Sequence, residues 1–385
     1  MINNFELQNL PPLSLYIHMP WCVKKCPYCD FNSHNLTSEL PEDMYIHALI
    51  RDLELSLPLI WGRRIQTIFI GGGTPSLFSA NSINRLLTNI RNLTNISPMA
   101  EISMEINPGT VEIEYIHGYK DAGINRVSFG IQSFNNKHLK NLGRIHDSNE
   151  AIKAINLAKN IYDNINLDII YGLPGQSLDE LDLDIQQALD FETTHLSMYN
   201  LTIEPNTEFA KNTPKNLPDN DLCYEMQDLI MNSLTKHGFN HYEVSAYAIN
   251  KYECQHNLNY WQFGDYLGIG AGAHSKLSFF NRIIRQVRNK HPKTYMQQIH
   301  QNKHLIEDKT IKLEELPFEF MLNSLRLKDG FKSSLYTQRT GLSLNSILTK
   351  IEIAEKQGLL SFNNGIIKPT KRGFDYQNDL LMLFI

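Results

Sequence analysis

With 385 residues, 42% hydrophobic and 20% charged, the chain has the make-up of an ordinary folded protein, long enough for more than one domain. A formal net charge of -5, with both signs mixed along the chain, leaves no basic stripe and argues against nucleic acid as a partner. No run of about 18 apolar residues occurs, so no stable membrane anchor is expected. The polar, acidic opening Met1–Leu10 lacks the basic flank of a secretory signal. Three of the five cysteines fall within eight residues, which suits a metal or redox site in a reducing compartment better than a disulfide scaffold. A cytoplasmic protein is expected.

Short apolar runs then alternate with longer segments of helical period. Leu13–Met19 opens the series; Cys22, Cys26 and Cys29 follow it, and Pro41–Leu57 has helical spacing. Gln66–Ile70 runs into Gly71-Gly72-Gly73-Thr74-Pro75 and the helix-like Asn81–Leu93. Glu101–Ile106 precedes Val111–Asp121, with Gly123 as a turn just beyond. Arg126–Ile131 leads to Asp147–Ile161, Asn166–Tyr171 leads to Ser177–Asp190, and His195–Leu201 closes the series. Asp147 and Ser177 read as N-caps.

Such alternation implies a parallel sheet with right-handed crossovers. The polar and glycine-rich clusters fall at the C-terminal ends of five successive strands. Barrels build their sites there, whereas an open doubly wound sheet concentrates them at one switch point. The expected fold is α/β: a partial (β/α) TIM-type barrel with a smaller C-terminal domain. Beyond Leu201 the alternation decays into a helix, Asp221–His237, a strand-like run, His241–Ala248, and an aromatic, glycine-rich stretch, His256–Ser275. From Leu316 three helices, a short strand and a helix resemble a winged helix of the packing kind. The expected division is an extension (1–12), a core barrel (13–240), a connecting region (241–310) and a mostly helical, winged-helix-like domain (311–385).

Thiolates three and four residues apart can converge if the loop between them curls. Three sites fit that spacing: zinc, with His18 or His34 as fourth ligand; a redox dithiol on Cys26-Pro27-Tyr28-Cys29; and a 4Fe–4S cluster with one iron left open. The flanking sequence discriminates among them. L-Y-I-H-M-P-W-C-V-K-K-C-P-Y-C-D-F-N-S-H, Leu15 to His34, resembles the radical S-adenosylmethionine (SAM) family and its C-x-x-x-C-x-aromatic-C signature. Within that family it is similar to the branch of oxygen-independent coproporphyrinogen oxidases and HemW-type heme chaperones, over nearly the whole chain.

The resemblance implies that Cys22, Cys26 and Cys29 hold a 4Fe–4S cluster whose open iron chelates SAM. It places Tyr16 and Tyr28 at SAM, and Gly72, Gly73 and Thr74 near its methionine moiety. It makes Glu105, Gln132 and Arg144 further SAM contacts and sets Asp168 near the adenosyl ribose. On their own terms the glycines equally suit a tight turn, and each acid needs a partner because bare burial costs several kcal/mol. Cys223 reads as a small buried apolar residue.

Cys254-Gln-His-Asn-Leu-Asn-Tyr-Trp261 stands apart from the cluster. By itself it suits a core histidine with two packing aromatics. The H-N-x-x-Y-W pattern resembles the heme motif of the HemW-type chaperones, implying His256 as ligand and Tyr260 and Trp261 as lining. No C-x-x-C-H pattern indicates covalent attachment. The oxidases carry a further cysteine two positions after the third ligand, where this chain has Phe31.

The leading expectation is a heme chaperone passing heme to acceptor hemoproteins, membrane-bound ones among them, with an electron donor such as a flavodoxin or ferredoxin. The alternative is an enzyme, the anaerobic oxidative decarboxylation of coproporphyrinogen III to protoporphyrinogen IX. A zinc-stabilised scaffold is a third reading. No catalytic residue is assigned.

Overall fold

The computed structural model describes residues 6–109 and 115–385. Strands β1 (Leu13–Met19), β2 (Arg64–Gly72), β3 (Asn95–Ile106), β4 (Arg126–Gln132), β5 (Ile165–Tyr171) and β6 (His195–Asn200) pair in parallel in chain order. Helices separate them: α1 (Glu42–Ser56), α2 (Ala80–Leu93), α3 (Ile116–Ala122), α4 (Ser148–Lys159) and α5 (Leu178–Asp190). The expected helix Val111–Asp121 begins at residues that lie outside the described ones, 111–114. The rest of it forms α3, closed by Gly123 at φ 104°, a left-handed cap that glycine adopts without strain. Asp147 with Glu150, and Ser177 with Glu180, form capping boxes at the starts of α4 and α5.

Period-two alternation sorts the strand residues. Leu15, Ile17, Ile68, Ile70, Leu167 and Ile169 join one large apolar core. Tyr16, His18, Glu105, Asn166 and Asp168 occupy the alternate positions. Cys22, after β1, and Asn200, at the end of β6, line the same cavity, so the sheet curls into a part-barrel.

The sheet continues past both ends of the barrel. A hairpin, β7 (Asn240–Glu243) and β8 (Ala246–Ala248), extends the β6 edge where a single strand, His241–Ala248, is expected. The expected connecting region supplies a seventh parallel strand, β9 (Asp265–Ile269), against β1. Antiparallel β10 (His274–Phe279), β11 (Arg282–Arg288) and β12 (Leu305–Thr310) follow. Twelve strands result, in the order β12-β11-β10-β9-β1-β2-β3-β4-β5-β6-β8-β7.

Buried charges tie this extension down. Asp265 pairs with Lys276 at 3.0 Å and Arg63 at 2.8 Å, and Asp52 on α1 pairs with Arg288 at 3.3 Å. Helices Leu316–Ser324, Ser333–Thr340 and Asn345–Lys356 then pack with a three-stranded sheet of Phe331–Lys332, Leu360–Asn363 and Ile366–Pro369. Their core, with Phe320, Tyr336, Ile351 and Ile367, takes in Phe263 and Ile283 from the large sheet's margin. Among the described residues no helix is long and apolar enough to cross a membrane.

Candidate functional site

The loop after β1 is held from several sides. Lys25 donates from its ammonium to the carbonyls of Phe31 (2.9 Å) and Ser33 (3.3 Å), and from its backbone to Asn35 Oδ1. The Cys29 amide donates to Cys26 O at 3.1 Å, giving the curl that brings the cysteines round. Asn32 Nδ2 donates to Ala271 O and Lys290 O, both at 2.9 Å, pinning the far arm to the sheet extension.

The glycine motif after β2 packs against this loop. Gly73 N donates to Met19 O, and Thr74 N to Trp21 O, each at 2.7 Å. A Cβ on Gly73 would stand 2.5 Å from Trp21 O, so the close backbone approach requires glycine there.

The three thiols line one cavity of about 360 Å³. Among the described residues no three His, Cys, Asp or Glu side chains are already drawn together as for a metal ion. Burial pushes the Cys22 and Cys29 thiols up. Arg144 Nη1 approaches Cys26 Sγ at 3.7 Å, and Ser33 Oγ lies 3.8 Å from Cys29 Sγ. Both are donors suited to a thiolate, so the set fits an iron–sulfur cluster.

Tyr28, Gly72, Gly73 and Thr74 share this cavity, as do Glu105, Gln132, Arg144 and Asp168. Glu105 accepts from Gly72 N at 2.9 Å. Burial, then the neighbouring Asp168, pushes its carboxyl up to about 7. Asp168 accepts from Ser128 (2.9 Å) and Asn166 (2.8 Å), and burial raises it too. Gln132 holds a left-handed φ of 72°, uncommon outside glycine.

Tyr199, Asn200, Thr202 and Glu204 also stand on the wall and are among those missing from the sequence reading. Extending the rule of strand ends to the sixth strand would have found them. Cys223 is half-buried beside Gly172, not buried as expected.

Tyr16 departs from the other SAM residues. It lines a second cavity of about 470 Å³, together with Tyr260 and Trp261. The two cavities share Phe31, Gly72 and Glu105 as wall. Tyr16 donates to His18 Nδ1 at 2.9 Å, and His18 Nε2 donates to Asn32 O at 2.8 Å, so this neutral ring ties β1 to the cysteine loop along the second cavity. Burial holds His18 down at about 4.

His256 lies on neither wall. It is buried on a helix, α6 (Gln255–Trp261), between Thr67 and Tyr260. Thr67 gives its hydroxyl hydrogen to Ser14 at 2.7 Å, so it accepts from His256 Nδ1 at 2.8 Å. Nε2 then accepts from Tyr260 OH at 2.9 Å, and both ring nitrogens are taken. Burial, with Arg126 adding to it, lowers this imidazole to about 3.

A curled parallel sheet with three clustered thiols at the mouth and glycine and acid motifs behind them defines a radical SAM protein. Residues 16–188 match the Radical SAM superfamily, and residues 311–376 match the HemN C-terminal domain. Heme chaperone HemW of Haemophilus influenzae is 46% identical and that of Escherichia coli 45% identical, each over 98% of this chain and 99% of its own length. The chain belongs to the HemW family. Its fold is that of the Escherichia coli coproporphyrinogen III oxidase HemN, a radical SAM enzyme. The TM-score is 0.82, at 24% identity, over 97% of this chain and 90% of that one.

Proposed function

We propose that this chain is a cytoplasmic heme chaperone that carries a 4Fe–4S cluster, SAM and heme, and passes heme to acceptor hemoproteins, including membrane-bound ones. The observation that carries this reading is the pair of adjoining cavities, one walled by thiols and acids and the other by aromatics, with Phe31, Gly72 and Glu105 between them. Cys22, Cys26 and Cys29 would hold the cluster. When bound, and reduced by a flavodoxin- or ferredoxin-type donor, the cluster supplies the electron that cleaves SAM.

The chain's own residues prepare the first cavity. Arg144 Nη1 donates toward Cys26 Sγ and fixes that side of the thiol wall. The Gly72 amide orients Glu105, and a cationic ammonium or sulfonium draws Glu105 and Asp168 toward their carboxylate forms. The second cavity carries the flat rings of Tyr260 and Trp261 on its wall, a match for a porphyrin face.

Anaerobic reconstitution of the full chain is expected to give a brown protein with about four irons, the content of one cubane. Alanine at all three cysteines should abolish it, and hemin should shift its Soret band on binding. A colourless protein holding one zinc would overturn the cluster. Protoporphyrinogen accumulating from coproporphyrinogen III, SAM and reductant would overturn the chaperone in favour of the decarboxylating enzyme.

A further inference from the structure

We propose that Glu101 on β3 is a positioning residue for the second cavity, because it clamps the first turn of α6, the helix that carries Tyr260 and Trp261. The proposal rests on the heme reading above. A helix leaves its first backbone N–H groups without partners of its own, and Ser, Thr, Asp or Asn at the N-cap ordinarily takes one of them. The N-cap of α6 is Cys254, whose side chain accepts no such bond. Glu101 supplies the cap from a distant part of the chain. Its Oε1 accepts from His256 N and its Oε2 from Gln255 N, both at 3.1 Å. The Cys254 thiol donates to the same Oε1 at 3.6 Å, and the Cys254 amide donates to Tyr242 OH at 3.3 Å.

A helix of seven residues does not hold itself in place, since nucleation is costly and few bonds follow it. Its position comes from the barrel strands behind it. Thr67 on β2 accepts from the His256 ring at 2.8 Å, and Ser14 on β1 accepts from Asn259 Nδ2 at 2.9 Å. Both of these hold side chains. Glu101 holds the backbone, with charge-assisted bonds that are the stronger kind. It therefore fixes the helix while leaving the side chains of α6 free to adjust to a ligand. Arg126, buried at the start of β4, lies near enough for its charge and that of Glu101 to attract.

Glu101, Ser103 and Glu105 share one face of β3, as alternate residues of a strand do. Glu105 stands on the wall between the two cavities. At about 3.3 Å per residue, the clamp sits roughly 13 Å further back along the same strand. One rigid element thus sets how far the aromatic wall stands from the thiol cavity. The clamp also accounts for Cys254, which is fully buried and lies outside the cluster.

The test is hemin titration of the cluster-loaded full chain under anaerobic conditions, read by Soret absorbance and by ferric-heme electron paramagnetic resonance. Hydrogen exchange over residues 254–261 is followed in parallel without hemin. Glu101→Ala is expected to speed exchange at Gln255 and His256. With the helix docked about one-tenth of the time, hemin binding should weaken roughly tenfold. The ferric-heme resonance should broaden, while cluster iron and SAM affinity match wild type. Glu101→Gln keeps one acceptor oxygen, so its loss of affinity should be smaller, roughly threefold. That variant carries the comparison if Glu101→Ala fails to fold.

Variants that melt earlier but bind hemin with wild-type affinity and resonance have lost stability alone, which overturns the proposal. Unchanged exchange at Gln255 and His256 overturns it as well. A wild-type protein that takes up no hemin overturns the heme reading instead, and the exchange rates then show separately whether Glu101 clamps the helix.

Discussion

The two cavities are built on different principles. The thiol cavity is walled chiefly by residues that follow or end parallel strands, in short contiguous motifs: the cysteine loop, the glycine turn and the polar ends of β3 to β6. Such loops can change their chemistry while the strands below keep the frame. The aromatic cavity takes its wall from within the frame. Tyr16 on β1, Lys276 on β10, Arg285 on β11 and Asn323 on a C-terminal helix reach it from distant parts of the chain. Those side chains, or their immediate neighbours, also hold the sheet extension together. A change on that side should therefore disturb stability and ligand at once, while the thiol side should lose its ligand and keep its fold.

The largest effect that separates the two sides is expected at Asp52. Its carboxylate is fully buried, pairs with Arg288, and accepts from Tyr295 OH (2.8 Å) and Gly270 N (3.1 Å). Removing one partner of a buried, hydrogen-bonded pair costs about 3–5 kcal/mol. Asp52→Ala should lower the unfolding free energy by that amount and loosen the turn Gly270–Gly272, so hemin uptake falls more than cluster iron, since the cysteine loop touches that turn only through Asn32. Equal loss of iron and hemin would contradict the division into two independently supported sides.

Glu105 lies on the shared wall, so its titration belongs to both cavities. Its folded-state value of about 7 is raised above the ordinary 4.5. The folded protein therefore gains stability from it below pH 4.5 and loses that gain as pH rises through 7. In cluster-free protein the difference in stability between wild type and Glu105→Gln should fall by roughly 1–3 kcal/mol across that window, the range expected for a carboxyl partly reached by water. A flat difference between the two proteins from pH 4.5 to 7.5 would show that the carboxyl is solvated and not held dry between the cavities.

The same contrast explains what could be read from the chain. Motifs at strand ends are contiguous, so Cys22 to Cys29 and Gly71 to Pro75 announce themselves. Hydropathy alone outlines β1, β4, β5 and β6 to within a residue, while β2 runs two residues further at each end and β3 begins at Asn95, ahead of the expected Glu101, where Ser97 and Pro98 break the apolar run. The aromatic cavity leaves no such trace. β9 is hidden because Gly264, Gly268, Gly270 and Gly272 dilute its apolar pattern, although Gly268 is there to admit the carbonyl of His274. The H-N-x-x-Y-W resemblance makes His256 the ligand between Tyr260 and Trp261, both of which do line the cavity, but on a helix positions four apart meet each other. That geometry turns the imidazole onto Tyr260 and away from the cavity.

The smallest expected effect sharpens the comparison most. Tyr260→Phe keeps the ring on the aromatic wall and deletes only the hydroxyl that caps His256 Nε2. One hydrogen bond in a buried pair contributes about 0.5–1.5 kcal/mol, so the melting point should fall by a few degrees at most. The variant also sets free the one nitrogen pair through which His256 could reach iron. If His256 were the ligand, opening that bond would be part of binding, and Tyr260→Phe should tighten hemin uptake by the same free energy. If His256 is not the ligand, the bond is a strut of the frame and nothing more. Hemin affinity and the ferric-heme resonance of Tyr260→Phe should then match wild type, and a tightened affinity would move the ligand back into the core.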